Sequence, residues 1–122
     1  MARKDSSNMV TATVENVTVP GDVVHWGDTV RVTTSGMPSG RNYATIATYG
    51  DFYQKGIPYT ERVTFRGEAT GDEVLFAVGH IGVYPPGVES VTAYVWLDND
   101  ADLSNGVVPG GMLDPFVVLP PR

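Results

Sequence analysis

The spacing of glycine and proline, and what lies between them, is the strongest constraint on how this chain folds. Fourteen Gly and nine Pro are spread over 122 residues, so few uninterrupted stretches reach the dozen residues of an ordinary helix. Those that do carry apolar residues at every second position, the period of a strand, instead of near every 3.6. Nineteen Val and twelve Thr against five Leu is likewise strand usage. The chain is expected to be all-β, with almost no helix.

Alternation bounded by turn residues places seven strands, roughly over 10–19, 29–34, 43–49, 59–66, 73–80, 88–97 and 116–119. Between them lie Pro20-Gly21-Asp22, Ser35 to Gly40, Gly50-Asp51, Gly67 to Asp72, Gly82 to Gly87 and Asp98 to Pro115. In the second strand Val30 and Val32 share one face and Arg31 and Thr33 the other. Val63 and Phe65 oppose Arg62 and Thr64 in the same way. Seven short strands at this spacing are the pattern of an antiparallel Greek-key β-sandwich of immunoglobulin-like or fibronectin type III-like kind. Val30, Val32, Ile46, Val63, Phe65, Val91, Ala93 and Val95 are its expected core. Residues 1–9 are expected to form a flexible arm, and residues 10–122 one domain.

A net charge of −6 works against binding phosphate backbones, which requires clustered Lys and Arg. Only Arg3 and Lys4 stand together, so nucleic acid is not an expected partner. The absence of cysteine excludes disulfide frameworks, thiol nucleophiles and thiolate metal sites. No run is long and apolar enough to span a membrane, and Met1 to Asn8 lacks the apolar stretch of a secretory signal. A chain made in a cytoplasm, with no membrane partner, is the expectation.

Catalytic patterns are weak. His25 and His80 are the only histidines, and each reads as a partly exposed residue with local hydrogen bonds. Ser35-Gly36 and Ser39-Gly40 sit in a Gly/Pro loop without the Gly-x-Ser-x-Gly frame of an activated nucleophile. Asp72 and Glu73 are neighbours, so on a strand they point to opposite faces and read as a strand opening. No enzyme is expected. In Asp98-Asn99-Asp100-Ala101-Asp102 oxygen ligands fall at alternate positions, as a hard cation requires. An EF-hand loop would have Gly where Leu103 stands and Glu where Pro109 stands. Two readings remain open there: a structural calcium held by Asp98, Asp100 and Asp102, or an Asx-rich turn whose side chains cap their own backbone.

Aromatic residues are the more informative candidates for partner binding. Between 88 and 97, Val91, Ala93, Val95 and Leu97 make a core face, which leaves Thr92, Tyr94 and Trp96 on the other. Tyr94 and Trp96 then form either a sugar-stacking or protein-binding platform, or a second buried face of a central strand. Tyr49, Phe52 and Tyr53 form a second aromatic group in a loop, and Tyr84 belongs to a third.

The segment Glu89-Ser90-Val91-Thr92-Ala93-Tyr94-Val95-Trp96-Leu97-Asp98-Asn99-Asp100 resembles the penultimate strand of bacterial and phage immunoglobulin-like modules, and Asp28-Thr29-Val30-Arg31-Val32 resembles their second strand. The resemblance spans about residues 10–119. It departs from the antibody pattern in lacking both cysteines and a Trp on the third strand. Such modules decorate the virions of tailed phages and occur on actinobacterial surface proteins. The resemblance implies a structural protein on the capsid surface, bound to the lattice of the major capsid protein, as a homo-oligomer or as monomers at quasi-equivalent positions. Its alternative is a module that binds cell-surface carbohydrate.

Overall fold

A computed structural model describes residues 9–50, 59–79, 84, 87–99 and 107–122. Its eight strands are β1 (Thr11–Asn16), β2 (Val24–His25), β3 (Thr29–Ser35), β4 (Gly40–Gly50), β5 (Tyr59–Gly67), β6 (Asp72–Ala77), β7 (Val91–Asp98) and β8 (Phe116–Leu119). No helix occurs among the described residues.

Alternation decides how these strands bury their side chains. In β3, Val30, Val32 and Thr34 are buried while Arg31 and Thr33 point away. β3 is the centre of a three-stranded sheet in the order β1-β3-β6, with both neighbours antiparallel to it. On the outer face of that sheet Arg31 pairs with Glu15 on one side at 3.3 Å and with Glu73 on the other at 2.9 Å. This charged ladder marks a solvated surface.

The second sheet has the order β2-β8-β7-β4-β5. Every pair in it is antiparallel except β2 with β8, which run parallel through Val24 with Val118 and His25 with Leu119. β2 adds one strand to the seven expected, and it carries His25, which falls between the first two expected strands, 10–19 and 29–34. Two residues are too few to show a period.

One hydrophobic cluster joins the inner faces of both sheets, from Val30, Val32 and Phe76 to Ile46, Ala93, Val95 and Val118. Of the eight expected core residues, Val63 and Phe65 are only partly buried and pack against the cluster's rim. They lie on β5, an edge strand with a single neighbour in its sheet. Trp26, buried, closes one end of the core by packing edge-on against Tyr84, ring centroids 5.4 Å apart. Gly79 makes room for it: a Cβ there would lie 2.1 Å from the indole. No helix of the described chain is long and apolar enough to cross a membrane.

Candidate binding face

The outer face of the five-stranded sheet gathers chemistry from three strands. The even-numbered residues Ala44 and Ile46 of β4 point into the core, which turns Tyr43, Thr45 and Ala47 outward. Across the sheet Thr45 is opposite Trp96 on β7 and Arg62 on β5, and Ala47 is opposite Tyr94. Small residues on the central strand thus form a floor between large ones on its neighbours. The Arg62 guanidinium lies 4.5 Å from the centre of the Tyr43 ring, within cation–π range.

Tyr94 and Trp96 therefore share the outer face and are half-buried there. Neither of the two sequence readings describes them fully, since they are outside the core yet partly covered. Their rings are inclined by 12° with centroids 6.4 Å apart. At that separation nearly parallel rings are offset and broaden the surface they present. Met112 bridges to Trp96 from beyond β7, and Val117 is opposite Thr92. Both are about half exposed, at 56% and 49%. The Thr45 hydroxyl, buried in the floor, has no hydrogen-bond partner among the described residues.

Asp98 ends β7 on the same face, opposite Tyr43. It is buried, its Oδ1 accepts the Asn99 N–H at 2.8 Å, and its Oδ2 faces Arg62 at 3.9 Å. Asp100 and Asp102, the other calcium candidates, lie outside the described residues. Among those described, no group of three His, Asp or Glu side chains is placed to hold a metal ion.

The remaining candidates divide. Phe52, Tyr53 and the side chain of Tyr49 lie outside the described residues, as does His80. Tyr84 packs on Trp26 and donates its hydroxyl to the Val88 carbonyl at 3.0 Å, and burial raises its pKa. His25 Nδ1 is 2.7 Å from the Pro120 carbonyl oxygen.

A polar cluster that sequence reasoning missed sits at the end of the molecule where β1 stops. Asn16 ends that strand by accepting the Thr18 and Val19 N–H groups on Oδ1, and its Nδ2 donates to Asp28 Oδ2 at 2.9 Å. The same oxygen accepts the His25 N–H at 2.9 Å. Arg122 then donates to both carboxylate oxygens of Asp28, at 3.1 and 2.9 Å, and to Asp22 at 3.2 Å. These donors, Arg122 foremost, hold the Asp28 carboxyl at a pKa of about 2 against desolvation that pushes the other way. The Val23 N–H and Arg122 lower that of Asp22. No buried side-chain atom of this cluster is left without a hydrogen-bond partner, which is the signature of a structural clasp. The outer face of the five-stranded sheet, by contrast, leaves apolar surface and a hydroxyl unused.

The chain matches no protein-family model and no curated protein.

Proposed function

We propose that the chain is a non-enzymatic binding domain of the immunoglobulin-like Greek-key type, and that it decorates the capsid of a tailed phage by docking the outer face of its five-stranded sheet onto the capsid lattice. The strand order supports the fold: the chain passes between the sheets from β3 to β4, β5 to β6 and β6 to β7, which matches an immunoglobulin-like sandwich whose second strand lies in one sheet, its third in the other, and its last two beside the third. The observation that carries the function is the juxtaposition of Tyr94 and Trp96 with exposed Met112 and Val117. Aromatic and Met side chains are enriched at the centres of protein interfaces, and an apolar strip with polar surroundings marks an interaction site.

A second reading, carbohydrate binding, is favoured by one feature. The offset Tyr94 and Trp96 rings offer flat faces to a sugar ring, with the unused Thr45 hydroxyl below them. The experiment is to incubate the purified chain with candidate phage heads and, separately, with immobilised polysaccharides. The capsid reading expects sedimentation with heads, lost in Trp96→Ala while the variant stays folded. Retention by polysaccharide without binding to any head replaces it with the carbohydrate reading.

A further inference from the structure

Four of the five large apolar side chains exposed among the described residues lie along a single seam of the molecule. Val23 and Val117 line one groove of about 370 Å³, and Met112 lines a second of about 350 Å³. The two grooves share Val14 and Phe116, and Met9 reaches the second groove at Gly110. The walls common to both are β1, through Val14, and β8, through Phe116.

β1 is an open edge, for its sheet continues only through β3. The Val17 N–H donates to Thr29 while the Val10 N–H donates the other way, to Pro109. Alternation between those two points directs the backbone groups of Ala12, Val14 and Asn16 into the seam. Other edges carry the usual protection: β2 is two residues long, β5 holds Glu61, Arg62 and Arg66, and β6 holds Asp72 and Glu73. In β1, Thr-Ala-Thr-Val-Glu-Asn has no Pro, no basic residue and no bulge, and its single charge, Glu15, is on the outer face beside Arg31.

We infer that this edge binds a second copy of the chain, β1 pairing antiparallel with its counterpart about a twofold axis at Val14, so that two three-stranded sheets become one of six. The register follows from which backbone groups are open: Val14 faces Val14 of the partner subunit, and Ala12 faces Asn16 of the partner subunit. On the outer face Thr13 then meets Glu15 of the partner subunit, a hydroxyl against a carboxylate, and the two Glu15 side chains do not oppose each other. Charge permits the approach, because Glu15 and Asp22 are already paired with Arg31 and Arg122 within one chain. A six-residue edge with its apolar strip amounts to about 500 Å² per copy, near the lower bound for a specific interface, so a dissociation constant on the order of micromolar is expected. The seam shares Met112 and Val117 with the proposed docking strip, while Tyr94 and Trp96 line neither groove.

The test is sedimentation equilibrium of the whole chain across that concentration range, where the mass should rise from monomer to dimer. Val14→Lys should return it to monomer with unchanged circular dichroism. The chain has no cysteine, so Val14→Cys should form one symmetric disulfide under mild oxidation, whereas Glu15→Cys should not. Should Val14→Cys fail to fold, the double variant Thr13→Cys/Glu15→Cys reads the same register from the outer face. A wild-type chain that stays monomeric throughout, or a dimer that Val14→Lys leaves intact, overturns the inference.

Discussion

Asp28 and Arg122, 94 residues apart, are joined by two hydrogen bonds that tie the C-terminal arginine to the turn between β2 and β3. Asp28 is buried and also holds Asn16 and the His25 backbone, so a single carboxylate fastens three segments.

This clasp makes stability depend on acid. The pKa of Asp28 is lowered from 3.8 to about 2 by Arg122. The contribution is therefore fully present above about pH 4 and is lost as pH falls through 2, and it is on the order of 2 kcal/mol. Urea denaturation between pH 7 and 2 should show this loss in the wild type. Asp28→Asn should be less stable at pH 7 and show a flatter acid limb.

Gly79→Ala should be among the most damaging small substitutions. Gly79 has φ of 78°, and the added methyl would enter the Trp26 ring. Backbone strain and displacement of a buried indole together should cost about 3 kcal/mol. Thermal unfolding measures the loss, and a red shift in tryptophan emission would show Trp26 moving.

Arg62→Ala should destabilise more than a surface charge deletion does. It leaves the Asp98 carboxylate buried without its counterion, a penalty of about 2–4 kcal/mol. Adding Asp98→Asn to that variant should recover part of the loss, since it removes the stranded charge. A double-mutant cycle by chemical denaturation gives the coupling.

Trp96→Ala and Met112→Ser should separate binding from folding. Both residues are on the outer face, so unfolding free energy should change by no more than about 1–2 kcal/mol. Head or polysaccharide binding, whichever the wild type shows, should fall at least tenfold. A pair of variants that loses neither activity would move the binding site elsewhere.

Much of this architecture can be read from the chain because alternation is a local property. Val30, Val32, Ile46, Val91, Ala93 and Val95 are all buried as their period requires, and the span 116–119 coincides with β8. What periodicity cannot carry is the number of neighbours a strand acquires. Val63 and Phe65 repeat every second residue like the others, yet stay partly exposed because β5 has one neighbour. The same limit applies to Tyr94 and Trp96, whose face could be assigned but whose cover could not. The clasp of Asn16, Asp28 and Arg122 could not be read at all, because its bonds join side chains far apart in sequence.

The parallel pairing of β2 with β8 has a mechanical consequence. Tension drawn between the residues before β2 and those after β8 pulls the two strands along their length in opposite senses. Their hydrogen bonds are then loaded together in shear, while an antiparallel hairpin pulled from its open end would unzip one bond at a time. Arg122, just past β8, is anchored to Asp28 just past β2, and so adds a charged catch to the part of the molecule that bears the load.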